Sequence, residues 1–305
     1  MTALHRALAA YLRTRRALGF KLERAGHLLP EFVDFVAERG ESVVTTVAAI
    51  AWATQPREAA PTWWTQRLVL VRGFAKYLQT VEPRTEVPPP DCLSSHRPRS
   101  APYVYSAADL TALLGATDML RSPIMASTYK TVLGLLSVTG MRVGEVVALD
   151  ERDVDRRGAV LLIRKTKFGK SREVPLHPST IAALDCYRRE RDRFAPRRGS
   201  PSFFISTAGT RLIYQNVHDI FLRLVFASGL SRRRPRPTIH DLRHTFAIQT
   251  VLGWHRDGVD VEARLPTLST YLGHIGPKST YWYLTAVPEL LEAATLRLER
   301  SLVRP

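Results

Sequence analysis

A chain of 305 residues, 45% of them hydrophobic, is long enough for two domains and apolar enough for packed cores, which excludes a disordered chain. The formal charge of +16 implies a polyanionic partner, with an anionic surface or plain solubility as bland alternatives, while the two cysteines, Cys92 and Cys186, exclude a disulfide framework and a cysteine-built zinc site. No uncharged apolar run reaches the roughly 18 residues of a membrane span, and Arg6, Arg13, Arg15 and Arg16 interrupt the apolar core a signal peptide would need, so a reducing cytoplasm is the expected compartment.

The charge is uneven: residues 1–95 hold 12 basic and 9 acidic side chains, and residues 96–305 hold 32 and 19. Residues 1–81 read as a helical domain, because apolar positions recur at three and four in Leu28, Leu29, Phe32, Val33, Phe35 and Val36 and again in Leu68, Val71, Phe74 and Leu78. Prolines and small polar residues from Glu82 to Ser100 forbid a regular helix or a central strand, so 82–103 are expected to be a linker. Domain 104–305 opens on a helix near Ala107, with Ser106 as N-cap and Asp109 completing a capping box. An apolar helix is expected at about 122–138, then short strands over 159–163 and 172–176 around the polar turn KTKFGK. Further helices are expected at about 178–193, 214–228, 241–252, 266–273 and 288–300. The expected class is mainly α with a small β-sheet, α+β.

Four segments carry chemistry: TGMRVGEVVAL (139–149), KTKFGKSREVPL (165–176), HDLRHTFA (240–247) and LGHIGPKSTYWYLT (272–285). A phosphodiester in transfer carries negative charge on its non-bridging oxygens. Arginine meets that charge best, because its planar fork binds two oxygens and never loses its proton. Arg142 and Arg243 are the candidates for such a clamp. An ammonium on the hairpin, from Lys165, Lys167 or Lys170, can reach a leaving oxygen and protonate it. Two tempting motifs fail: GKS at 169–171 has Arg164 where a P-loop needs glycine, and HDLRH at 240–244 has Asp241 where a zinc-protease HExxH has glutamate, with Arg243 beside the metal position.

In order and spacing these segments resemble the tyrosine recombinase family of the phage-integrase type, over roughly 100–300, with a weaker likeness upstream. The resemblance implies a helical core-binding domain over 1–81 and a catalytic domain over 104–305 that ends in a C-terminal helix. It implies Arg142 and Arg243 as the paired clamp, Glu145 orienting Arg142, and Lys167 as general acid at the family's offset before VPL. His240 becomes an acid/base partner of the scissile phosphate, His244 packs behind it, and His274 is a third phosphate donor. Tyr283 follows His274 at the nucleophile's spacing. Tyr281 lies about 200° around a helix of 3.6 residues per turn and cannot face the same phosphate, so it and Tyr271 are read as core or rim aromatics.

The implied activity is cutting and rejoining double-stranded DNA at specific sites through a 3′-phosphotyrosyl ester, without cofactor, metal or ATP. Four protomers acting together, in some members with partner recombinases, would make an integrase, transposon recombinase or resolvase of a mobile element, working in a bacterial cytoplasm at the nucleoid. A nicking-closing enzyme of the type IB kind shares the chemistry, and a non-catalytic DNA-binding accessory protein is the third class. Lys165, Lys170 and the run SRRRPRP (231–237), in which Pro235 and Pro237 keep Arg232, Arg233, Arg234 and Arg236 extended, are expected to touch phosphates and not to read bases. Arg243 and His274 lie farther apart than in compact members, and 253–266 are read as a surface excursion between helices.

Overall fold

In the computed structural model, which describes residues 2–93, 101–164, 171–195, 199–274 and 280–281, four helices make up the first of two units, Met1–Ser100. They are α1 (Ala3–Ala17), α2 (Glu23–Glu38), α3 (Thr46–Ala53) and α4 (Pro61–Leu78). Three begin on local signals: the Thr2 and Thr45 hydroxyls accept from the amides of His5 and Ala48, and Pro61 opens α4 with its φ already set. The apolar stripes read from sequence converge on one core that includes Leu29, Phe32, Val33, Val36, Leu68, Val71 and Phe74 around Trp52. Phe32 meets Trp52 edge-on at 5.2 Å, and the buried Arg67 guanidinium lies 3.7 Å from the Trp52 ring while donating to the Trp52 carbonyl at 2.9 Å.

Residues 82–93 lie against this unit. The Glu86 amide donates to the Val44 carbonyl at 2.8 Å, its carboxylate accepts from the Thr46 amide at 2.7 Å, and Val87, Cys92 and Leu93 pack on the core. The prolines remove donors but keep carbonyls, and Arg72 donates to those of Pro88 and Pro89.

The second unit, Ala101–Pro305, begins with a short segment in which Tyr105 is buried. Its elements are α5 (Ala107–Gly115), α6 (Pro123–Thr139), α7 (Val143–Ala148), β1 (Val154–Asp155), β2 (Val160–Ile163), β3 (Arg172–Pro175), α8 (Pro178–Phe194), α9 (Tyr214–Ala227), α10 (Asp241–Arg256) and α11 (Val261–Leu272). The Ser106–Asp109 capping box forms as expected. Helix α6 is central, with α8 and α10 packed on it. The sheet is antiparallel in the order β1-β2-β3, with Leu161 opposite Val174 and Ile163 opposite Arg172, and its inner face buries Leu161, Ile163 and Val174. The chain is thus mainly helical with a small sheet. Two residues of β1 are too few to leave a period in the sequence.

The segment 253–266 is not an irregular excursion. Helix α10 continues to Arg256, residues 257–260 connect, and the Asp260 carboxylate accepts from the Ala263 amide to start α11. Val261, Leu265, Leu268 and Leu272 recur at four, three and four, and they bury a small separate cluster against Ala247, Ile248 and Val251. The helix expected over 288–300 lies outside the described residues. Among the described residues no helix is long and apolar enough to cross a membrane.

Candidate active site

Two helix ends and three arginines build the site. Helix α6 ends on Gly140 at φ +59°, where an added Cβ would come within 2.5 Å of the Phe246 ring, so only glycine fits both the turn and the contact. Helix α11 ends on Gly273 at φ +65°. The last carbonyls of a helix have no partner within it and carry its negative pole. Here three consecutive ones, of Tyr271, Leu272 and Gly273, accept from three different arginines: Arg172 Nε at 2.8 Å, Arg243 Nη2 at 2.7 Å and Arg142 Nη2 at 3.1 Å. Arg243, only 2% exposed, also donates Nη1 to the Gly140 carbonyl at 2.8 Å, so one guanidinium joins the ends of α6 and α11.

Arg142 precedes the first residue of α7, and Glu145, three positions on, folds back to accept its amide at 3.0 Å and its Nη1 at 3.0 Å. The same carboxylate takes Arg172 in a fork, at 3.0 and 2.8 Å. Burial alone would raise the Glu145 pKa, but the Arg172 hydrogen bonds, the Arg142 amide and both positive charges hold it below the ordinary carboxylate value. Two guanidinium groups share this carboxylate and a third, Arg243, is held by carbonyls, which leaves a net positive pocket; the Arg142 side chain, 37% exposed, is its most open cation.

His240 caps α10, one turn ahead of Arg243, and its ring meets His244 edge-on at 4.6 Å. Lost hydration and then the charges of Arg243 and Arg142 lower the His240 pKa. His274 follows Gly273, with its amide on the Ser269 carbonyl at 2.9 Å and Nδ1 2.8 Å from the hydroxyl of the buried Thr280. Burial, then Arg243, Arg142, His240 and Arg172, push its pKa down to about 4. Both rings are therefore neutral near pH 7.

Arg142, Glu145, His240, Arg243, His244 and His274 are thus drawn from three distant segments into one neighbourhood. Lys165, Lys167, Lys170 and Tyr283 lie outside the described residues. Tyr281 is 46% exposed, and Tyr271 packs half-buried against two cores. The arginine run is less extended than its prolines imply: Leu230–Arg232 form a 3-10 turn, and Arg233 approaches the Asp109 carboxylate at 3.6 Å. Arg232, Arg234 and Arg236 remain exposed. Sequence reasoning missed Arg172. The available signal was its parity with Val174: two residues apart on one strand, they share a face, and an arginine on a buried face needs fixed acceptors. Among the described residues no three His, Cys, Asp or Glu side chains group to hold a metal ion.

A family model described as the phage integrase family matches residues 106–289. The chain is 42% identical over 308 residues to the inferred integrase/recombinase y4rB of Sinorhizobium fredii, covering 98% of each chain. It is 29% identical over 278 residues to the tyrosine recombinase XerD of Caulobacter vibrioides, covering 90% of this chain and 84% of that one. Its fold is similar, at a TM-score of 0.68 and 16% identity, to the Tn1549 transposon integrase in complex with transposon right end DNA, over 98% of this chain and 99% of that chain. With a basic pocket of the geometry above, these likenesses agree: the chain belongs to the phage integrase family and is a tyrosine recombinase, a DNA-binding enzyme of site-specific recombination.

Proposed function

We propose that this recombinase breaks and rejoins DNA through an ester between Tyr283 and a DNA 3′ phosphate. The observation that carries the reading is the convergence of Arg142, His240, Arg243 and His274 on the end of α11. Arg142 and Arg243 neutralise the non-bridging oxygens, and neutral His274 donates to one of them. A tyrosine with pKa near 10 is a weak nucleophile at neutral pH. His240 takes its proton while the surrounding cations favour the phenolate. The Tyr283 oxygen bonds to phosphorus as the bond to the 5′ oxygen breaks, and Lys167 protonates that oxygen. The ester retains the bond energy, so a 5′ hydroxyl from another strand reverses the step without ATP, and the arginines carry the charge neutralisation that metal ions supply in other phosphoryl transfers.

In this reading residues 1–81 are the core-binding domain, 82–103 join it to the catalytic domain over 104–305, and Lys165, Lys170, Arg232, Arg233, Arg234 and Arg236 hold DNA phosphates. Four protomers on two specific sites, in the cytoplasm and in the service of a mobile element, complete it. The test is a nicked suicide substrate, which traps the covalent complex. Tyr283→Phe is expected to abolish the adduct with DNA affinity within a few-fold; an adduct that survives Tyr283→Phe and disappears in Tyr281→Phe overturns the assignment.

A further inference from the structure

Arg172 has no part in the steps above, yet it makes three of the bonds that hold the site. Its Nε donates to the Tyr271 carbonyl at 2.8 Å, and its two Nη atoms occupy both Glu145 oxygens at 3.0 and 2.8 Å. Arg142 closes a ring: Nη1 bonds Glu145 Oε1 at 3.0 Å, and Nη2 bonds the Gly273 carbonyl at 3.1 Å, two residues beyond Tyr271. The ring ties the first residue of β3, the start of α7 and the end of α11.

Competition for one carboxylate gives this ring a consequence beyond stability. Because Arg172 fills both oxygens of a nearly buried Glu145, Arg142 shares only Nη1 with it, and its Nη2 is turned to the Gly273 carbonyl at the open end of the site. An unoccupied Glu145 would be free to take Arg142 in the two-pronged geometry that guanidinium and carboxylate favour. The side-chain exposures, 11% for Arg172 and 37% for Arg142, put the held arginine inside and the working one outside. Gly273 supplies the room, since a Cβ there would lie 2.9 Å from Arg172 Nη1.

We infer that Arg172 is a positioning residue for strand cleavage: it saturates Glu145 so that Arg142 points at the scissile phosphate, and it braces the turn that presents His274. The inference rests on Arg142 as the phosphate clamp. The experiment compares single-turnover cleavage, at saturating DNA, of a normal scissile phosphodiester and of a methylphosphonate, which lacks the negative charge the clamp must meet. Arg172→Gln is expected to slow the phosphodiester about 10²-fold, the scale set by misplacing a reacting group by about 1 Å, with DNA affinity within a few-fold. The neutral linkage should recover most of that deficit, as it should for Arg142→Ala. Adding Glu145→Gln to Arg172→Gln should restore part of the rate, because no anion then draws Arg142 inward.

Equal slowing on both linkages, or no slowing, overturns the inference. An Arg142→Ala enzyme that cleaves the phosphodiester at the wild-type rate overturns the clamp itself, and the inference with it; normal clamp behaviour beside an indifferent Arg172→Gln condemns the inference alone. Arg172→Lys, which keeps the charge but not the fork, carries the same two-substrate comparison should Arg172→Gln fail to fold.

Discussion

The first unit closes Leu29, Phe32, Val71 and Phe74 around Trp52, whereas the catalytic end of the second unit aims three guanidinium groups at three consecutive carbonyls of one helix end. Apolar packing is non-directional, and it tolerates exchange of shapes as long as volume is kept. Bonds from arginine to carbonyl are directional and charged, and each fixes where a cation sits to within a fraction of an ångström. The same chain therefore uses one kind of cohesion where it needs only a stable body and another where it needs charges held in place.

The largest expected effect is at Arg243. Arg243→Ala deprives the Gly140 and Leu272 carbonyls of their shared donor and removes a clamp charge, so covalent adduct formation should fall on the order of 10³-fold, as for loss of a fixed transition-state donor, while DNA binding changes far less. Comparable losses in adduct rate and in affinity would erase the distinction drawn between the two regions. Next comes the apolar core. Phe32→Ala should cost about 3–5 kcal/mol of the first unit's stability through the cavity it leaves, read by denaturant melting, while the adduct rate per folded molecule at saturating DNA stays within a few-fold. A folded Phe32→Ala protein with crippled chemistry would show that the core does more than hold a body together.

The smallest effect is a pH dependence. His274, near 6.5 when unfolded and about 4 in place, binds its proton less readily in the native state. Between those values the unfolded chain takes up more protons, so native stability rises with pH through this window and is lost as pH falls from about 6.5 towards 4. His240, also lowered, adds in the same direction. A bound phosphate reverses the balance by favouring the charged ring, so DNA binding near pH 5.5 should be accompanied by proton uptake, measurable by calorimetry in buffers of different ionisation enthalpy. His274→Gln should reduce that uptake, and an unchanged value would remove His274 from contact with the phosphate.

Much of this was legible in the chain itself. Ser106 with Asp109, the apolar run at about 122–138, and the apolar stripes of α2 and α4 marked elements by local rules that tertiary contacts did not override. The pairing of Arg142 with Glu145 was implied by the family resemblance, and the structure closes it within a single turn. Helix α11 was only half legible, since Glu262, Arg264 and Pro266 interleave with Val261, Leu265 and Leu268 and hide the stripe. The acceptors of Arg172 and Arg243 were not legible at all. Apart from the Glu145 carboxylate, they are backbone carbonyls 29 to 103 positions away, and a carbonyl is the same at every residue, so no side chain announces it.

Helix α10 spans two hydrophobic clusters: Leu242 belongs to the large one, while Ala247, Ile248 and Val251 belong to the small one that holds α11. A cluster of that size is a candidate for opening by itself while the rest of the fold persists, as sub-global cooperative units do. Its opening would withdraw the Tyr271, Leu272 and Gly273 carbonyls together, and three guanidinium groups would each lose one fixed partner in one event. The alignment of the three arginines is then coupled, set by the local opening equilibrium of a few leucines and valines and not by the melting of the whole protein.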